Sequence, residues 1–141
     1  MDRAIVVLSA FTLVAGSGLM AQDTSQTKLV VERFNDAINR RDIGTVTELL
    51  HEDTVFENTN PPPDGARIQG KAAVRAFWEK WFASNPDARF ETEEVIVAGD
   101  RCTLRWIYRK IRDGRPWHLR GVDVFTVRDG KILAKLSYVK G

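Results

Sequence analysis

The C-terminal part of the chain decides the fold, and residues 117–139 read WHLRGVDVFTVRDGKILAKLSYV. Asp129-Gly130 is the two-residue loop most typical of a β-hairpin, because these residue types tolerate the positive φ that the turn requires. The flanking segments therefore predict strands over Trp117–Arg128 and Lys131–Val139. Two further strands are predicted upstream, over Ala88–Ala98 and Arg101–Ile111, with turns at Gly99-Asp100 and Asp113-Gly114.

A carboxylate interrupts the apolar face of the strand Trp117–Arg128. The two-residue period of a strand places Asp123 on the same face as Trp117, Leu119, Gly121, Phe125 and Val127. A buried, unpaired carboxylate is costly, so Asp123 must stay protonated or find a donor. That environment is typical of a general acid or base. The structural alternatives are that a bulge turns Asp123 outward, or that Tyr138 or a Trp N–H satisfies it.

Helices are predicted in the first half of the chain. Lys28–Arg40 carries Val30, Phe34, Ala37 and Ile38 on one face, and Asp42 can cap a second helix that ends near His51. After Gly70, a third helix with Val74, Phe77, Trp78, Trp81 and Phe82 on one face ends at Asn85-Pro86. A short strand, Thr54–Asn58, and a proline-rich loop, Asn60–Gly65, lie between them. Helices followed by a meander indicate an α+β fold, with helices on one face of a curved antiparallel sheet.

Composition narrows the class of protein. The 141 residues are 43% hydrophobic and 28% charged, which fits one globular domain. A net charge of +2 without a Lys/Arg block argues against nucleic acid as the main partner. Cys102 alone cannot form an internal disulfide framework or a cysteine-built zinc site, and His51 and His118 do not have metal-ligand spacing. We therefore predict no metal.

The first 21 residues predict a targeting segment. Residues 4–21, AIVVLSAFTLVAGSGLMA, carry no charge, and Ala21 is a small residue at a plausible cleavage point. The prediction is a cleavable signal peptide over 1–21, a lead-in over 22–27 and a domain over 28–141, so that the mature protein is exported, periplasmic or secreted, with no stable membrane span. An uncleaved anchor formed by residues 4–21 and a mis-chosen start codon are the alternatives.

Several short motifs, taken in order, resemble the SnoaL-like branch of the nuclear transport factor two-like superfamily. They are His51-Glu-Asp53, Val55-Phe-Glu-Asn58, Gln69-Gly70-Lys71, Ala98-Gly-Asp-Arg101, Arg105-Trp106, Gly121-Val-Asp-Val-Phe125 and Arg128-Asp-Gly-Lys-Ile132. The resemblance implies a cystatin-like α+β roll, in which a cone-shaped sheet wraps three N-terminal helices and leaves a pocket at its open end. It also implies that Asp123 matches the acid/base aspartate of cofactor-independent polyketide cyclases.

The chain departs from the ketosteroid isomerases that share this fold. Their proton-shuttling aspartate aligns with Asn58, which cannot act as a base, and their oxyanion-hole tyrosine aligns with Phe34. Asp123 aligns with their neutral acid, a carboxylic acid that these enzymes keep protonated at neutral pH. Ala134 stands where many relatives carry a glutamate. A steroid isomerase using the standard residues is therefore not expected.

Two functions from different classes remain. The first is an isomerase, cyclase or dehydratase without a cofactor, acting on a small apolar carbonyl compound with Asp123 as the catalytic residue. Its predicted ligand pocket comprises Asn58, Trp78, Phe82, Trp106, Tyr138 and Phe34, with core packing as the alternative role of the aromatic residues. The second is a module that binds a small ligand or a partner without catalysis. In either case Val122 and Val124 suggest a homodimer through the outer sheet face.

Overall fold

The computed structural model describes residues 16–140, with side chains from Asp23 onward. Three helices come first: α1 (Gly16–Arg40), α2 (Ile43–Leu49) and, after two strands, α3 (Lys71–Ser84). The strands are β1 (Leu50–Glu57), β2 (Arg67–Gln69), β3 (Arg89–Ala98), β4 (Arg101–Arg112), β5 (Arg115–Arg128) and β6 (Lys131–Val139). The predicted α+β roll is confirmed, and its curved sheet is not closed into a barrel.

The sheet follows the order β2-β1-β6-β5-β4-β3. The meander β3 to β6 is antiparallel throughout, and β1 joins the other side of β6 in parallel. Residues Asp129 and Gly130 both have positive φ, 50° and 68°, as the predicted hairpin turn requires. The long central strands β4, β5 and β6 therefore form the floor on which the helices lie.

The core lies between the helices and the concave face of the sheet. Helix α1 supplies Val31, Phe34 and Ile38 at helical spacing, all at most 2% exposed. The sheet supplies Leu104 of β4 and Phe125 of β5, both fully buried. The predicted inward face of β5 is therefore confirmed at Phe125.

Local signals set the helix ends. Asp42 caps α2 by accepting a hydrogen bond from the Thr45 backbone N–H at 3.0 Å and another from its hydroxyl at 2.7 Å. These bonds hold the pKa of Asp42 below its usual value. Helix α3 begins after Gly70, whose φ is 90°, and ends at Asn85, as predicted.

The structure differs from the sequence prediction in the first half of the chain, where β1 begins at Leu50 rather than at Thr54. Helix α1 begins at Gly16 rather than at Lys28, because no glycine or proline stops the helix between them after Gly18. Strand β2 was not predicted, and it pairs with β1 over three residues only. Most of the predicted signal peptide, residues 1–15, lies outside the described residues. Within the described part of the chain, no helix has the length and apolarity needed to cross a membrane.

Candidate functional site

A cavity of about 360 Å³ opens between α3, the β1–β2 loop and the concave face of β4, β5 and β6. Aromatic side chains form most of its wall, and polar groups are gathered at its base and at its rim. The lining residues are Phe56, Asn58, Thr59, Asn60, Phe77, Trp78, Trp81, Asn85, Phe90, Trp106, Tyr108, Lys110, Leu119, Asp123, Lys135 and Ser137. This size suits a small organic molecule.

Three side chains form a closed hydrogen-bonded triangle at the base of the cavity. Lys135 Nζ lies 2.8 Å from Asp123 Oδ2 and donates to Ser137 Oγ, also at 2.8 Å. The Ser137 hydroxyl in turn donates to Asp123 Oδ1 at 2.6 Å. Asp123 is 2% exposed and Lys135 is 7% exposed. Asp123 is therefore buried as predicted, and it has found two donors.

Aromatic rings surround the ammonium group of Lys135. Its Nζ lies 4.8 Å from the ring centroid of Phe56, 5.7 Å from that of Phe125 and 6.0 Å from that of Trp78. Such cation–π contacts stabilise a cation that has lost most of its water. The base of the cavity thus combines an ion pair, a hydroxyl and apolar walls.

A β-bulge in β6 brings Lys135 and Ser137 to this face. Val127 pairs with Ile132 but Thr126 pairs with Ala134, so Leu133 is an extra residue in β6. An extra residue reverses the inward and outward positions beyond it. Lys135 therefore lies on the inner face beside the core residue Phe125, and Ser137 lies on it beside Asp123.

Because of this bulge, the predicted position of Tyr138 in the pocket is wrong. Uninterrupted alternation from Ile132 would turn Leu136 and Tyr138 inward, next to Asp123. Tyr138 instead lies on the outer face and is 52% exposed. It does not contact Asp123, whose hydroxyl donor is Ser137.

The other predicted pocket residues divide into two groups. Trp78, Trp106 and Asn58 line the cavity. Phe34 does not: it is 1% exposed and packs behind Trp78 and Phe125 in the core. Phe82 is likewise absent from the lining and packs on Trp78 and Trp81. Phe77 and Trp81, which were not among the predicted pocket residues, form part of the cavity wall.

Asn58 has a structural task beside its place in the wall. Its Oδ1 accepts hydrogen bonds from the backbone N–H groups of Ala66, at 2.9 Å, and Asn60, at 3.1 Å. Both residues belong to the β1–β2 loop, which borders the cavity. The amide therefore fixes this loop.

The rim carries polar groups that sequence reasoning missed. Asn85 Oδ1 lies 3.3 Å from the Tyr108 hydroxyl and 3.4 Å from Lys110 Nζ. Burial raises the pKa of Tyr108 above its ordinary value, so this phenol stays protonated at neutral pH. Asn85 was identified only as the helix end, and nothing in the sequence distinguished Lys110 from the other lysines.

Cys102 lies on the concave face but does not contribute a nucleophile. It is 1% exposed, and burial raises the pKa of its thiol to about 11. The thiol is therefore protonated at neutral pH and unreactive.

The chain was compared with known proteins through its sequence and its fold. None of the curated proteins compared with it is significantly similar in sequence. An NTF2-like protein of unknown function from Mesorhizobium loti is 42% identical, covers 84% of this chain and 93% of its own, and superimposes with a TM-score of 0.73.

Two more distant structures share the fold. A protein proposed to be a ketosteroid isomerase, from Kribbella flavida, is 22% identical over 84% of this chain and 81% of its own, with a TM-score of 0.71. A proposed polyketide cyclase from Xanthomonas campestris pv. campestris is 21% identical over 84% of this chain and 93% of its own, with a TM-score of 0.68. The model of the SnoaL-like domain matches residues 31–134, which include β1 to β5, all of α2 and α3, and the start of β6. The chain belongs to the SnoaL-like domain family.

Proposed function

We propose that the protein is a cofactor-independent enzyme that moves a proton at a carbon next to the carbonyl group of a small, mostly apolar compound. Isomerisation, ring closure and dehydration all begin with this step. The observation that carries the proposal is Asp123, a carboxylate at the base of an aromatic cavity whose position is fixed by Lys135 and Ser137.

Asp123 has the properties of a base for such a step. Each carboxylate oxygen has two acceptor positions, so Oδ1 and Oδ2 can each hold an internal donor and still face a substrate C–H. The fixed hydrogen bonds orient the group, and the aromatic wall keeps bulk water away from it. General base catalysis by a positioned group contributes on the order of 10²–10⁴ in rate, enough for a proton activated by a carbonyl.

The cavity also supplies partners for a carbonyl oxygen. Lys135 places a positive charge at the base, where the negative charge of an enolate would develop. The indole N–H groups of Trp78 and Trp106, both in the cavity wall, are buried with no hydrogen-bond partner among the described residues. A ligand oxygen is the kind of group that satisfies such donors.

Deuterium exchange into ketone probes tests this proposal. Aryl-alkyl ketones that fit a 360 Å³ cavity, such as 4-phenyl-2-butanone, are incubated with the protein in D₂O, and deuterium at the α-carbon is followed by NMR. We expect exchange above the buffer rate, and we expect Asp123→Asn to abolish it. The matched control is Asp113→Asn at the exposed β4–β5 turn, which should exchange like the wild type. Absence of exchange across the series would overturn the proposal.

The second candidate is a binding module without catalysis. It is favoured by one observation, that both oxygens of Asp123 already have internal partners. In that case the ketones bind, as seen by quenching of the fluorescence of Trp78 and Trp106, while no deuterium enters them.

We also propose that the protein forms a homodimer through the outer face of the sheet. Val122 and Val124 lie on this face, where Tyr138, the pairing partner of Val122, is 52% exposed. Light scattering at micromolar concentration should give twice the chain mass, and Val122→Lys should reduce it. A monomer in the wild type would remove this proposal.

Export is proposed from the sequence of residues 1–21. Mass spectrometry of the protein from its own cells should find a mature N-terminus at Gln22 in the exported fraction. An intact N-terminus at Met1 in the cytoplasmic fraction would contradict it.

A further inference from the structure

We infer that Lys135 is a nucleophile that forms an imine with the carbonyl carbon of the ligand. The inference rests on the proposed function in one respect, that the ligand carries a carbonyl group. It adds a covalent step to that function.

The position of Lys135 suits an amine nucleophile. Its side chain is 9% exposed, it lines the cavity, and its ammonium group lies among the rings of Phe56, Phe125 and Trp78. Lysines that are desolvated in apolar pockets are the ones that proteins use to form Schiff bases. A lysine with a purely structural role would not need to border a ligand-sized cavity.

Asp123 gives the amine a place to send its proton. The 2.8 Å contact between Lys135 Nζ and Asp123 Oδ2 is a direct path for transfer. Both ions are out of water, where each charge is costly. Moving the proton from Nζ to Oδ2 discharges both groups at once and leaves a neutral amine facing the cavity.

The sequence of steps balances with the groups present. The Nζ lone pair attacks the carbonyl carbon, the C–N bond forms, and the carbonyl π pair moves to oxygen. The Ser137 hydroxyl, 2.8 Å from Nζ, relays a proton from nitrogen to that oxygen and gives a carbinolamine. Protonated Asp123 then donates to the hydroxyl, the C–O bond breaks, and water leaves. The products are an iminium on Lys135 and a carboxylate on Asp123.

The charge pattern at the base is the same before and after these steps. A cationic nitrogen faces the Asp123 carboxylate in the free protein and in the iminium. The carboxylate is then placed to remove a proton from the α-carbon, which gives an enamine. The triangle of Lys135, Asp123 and Ser137 thus serves imine formation and proton transfer with one set of contacts.

Reductive trapping with benzaldehyde tests the imine separately. Benzaldehyde has no proton on its α-carbon, so it reports imine formation and not proton transfer. The protein is treated with benzaldehyde and sodium cyanoborohydride, and benzylated lysines are quantified by peptide mapping over time. Lys110 is the internal comparison, because it borders the same cavity at the rim and has no ion-pair partner within 4 Å among the described residues.

We expect Lys135 to be benzylated about tenfold or more faster than Lys110, since a positioned proton acceptor adds on the order of 10²–10⁴ in rate. In denatured protein the two rates should become equal. Equal rates in the native protein, or labelling confined to Lys110 and the exposed lysines, would overturn the inference.

Lys135→Arg separates the imine from the proposed proton transfer. Arginine keeps the positive charge and the pairing with Asp123 but does not form an imine. Loss of deuterium exchange into 4-phenyl-2-butanone in this variant supports the imine. Exchange that persists in Lys135→Arg and disappears in Asp123→Asn overturns the imine and keeps the proposed function. Trapping at Lys135 without any deuterium exchange keeps the imine and overturns the proposed function.

Discussion

On the outer face of the sheet, arginines of β4 and β5 pair with glutamates of β3 in contact with water. On the inner face, Lys135 and Asp123 pair among aromatic rings. Arg105 lies 3.0 Å from Glu94, Arg109 lies 2.8 Å from Glu91, and Arg120 contacts Glu93. The side chains of these arginines are 45–54% exposed, against 9% for Lys135.

The two kinds of pair have different energetic consequences. Exposed pairs contribute from nothing to about 1 kcal/mol, because water already stabilises the separate charges. A buried pair must offset the loss of hydration of both ions, and apolar residues of the same size often stabilise a protein as well or better. A buried pair at the base of a cavity is therefore better explained by function than by stability.

The largest expected effect comes from breaking the inner pair on one side. Lys135→Met leaves the Asp123 carboxylate buried without its cation, and we expect the free energy of unfolding to fall by about 3–5 kcal/mol. Denaturant unfolding followed by tryptophan fluorescence measures this. Asp123→Leu combined with Lys135→Met removes both charges and should recover most of the loss. A single variant within about 1 kcal/mol of the wild type would show that the pair is no more coupled than an exposed one.

An intermediate loss of stability is expected from adding a side chain at Gly121 of β5. A Cβ there would lie 2.3 Å from the Trp106 ring and 2.4 Å from the Tyr138 carbonyl oxygen, both closer than real contacts. Gly121→Ala should therefore displace Trp106 and cost about 1–3 kcal/mol by overpacking. Near-ultraviolet circular dichroism reports the displaced indole, and thermal unfolding reports the loss. An unchanged spectrum and midpoint would mean that β5 can move away from Trp106 without cost.

The smallest effect is expected from the outer pairs. Arg105→Gln removes contacts to Glu94 and Glu93, and we expect the free energy of unfolding to change by less than about 1 kcal/mol. The change should shrink further at high salt, because salt screens exposed charges. A loss as large as that of Lys135→Met would remove the distinction between the two faces.

Helices and strands whose apolar residues recur at regular intervals could be predicted from the sequence. The inward face of β5 follows the two-residue alternation over its whole length, which is why Asp123 was placed correctly at the interior. The aromatic face of α3 and the Asp129-Gly130 turn follow from equally local rules. Trp78 and Trp106 were placed beside the pocket on the same basis.

The partners of Asp123 could not be predicted in this way. The bulge at Leu133 depends on how β6 pairs with β5, and a single sequence contains no signal for that pairing. A lysine within the apolar run Ile132–Leu136 was the one visible irregularity, and it had no assigned role. The choice between Phe82 and Phe77 for the wall depended on how α3 is rotated against the sheet, which tertiary packing decides.

The bulge at Leu133 makes the chemistry of the cavity depend on how β6 pairs with β5. Without the bulge, uninterrupted alternation from Ile132 would bring Leu136 and Tyr138 to the inner face and carry Lys135 and Ser137 to the outer one. The base would then change from an amine and an alcohol to an alkyl group and a phenol, although no side chain had been substituted. Deleting Leu133, by contrast, removes the extra residue itself and leaves Lys135 and Ser137 on the inner face. Gain or loss of a bulge in β6 is therefore a route by which this fold can exchange one reactive group for another while its aromatic wall stays the same.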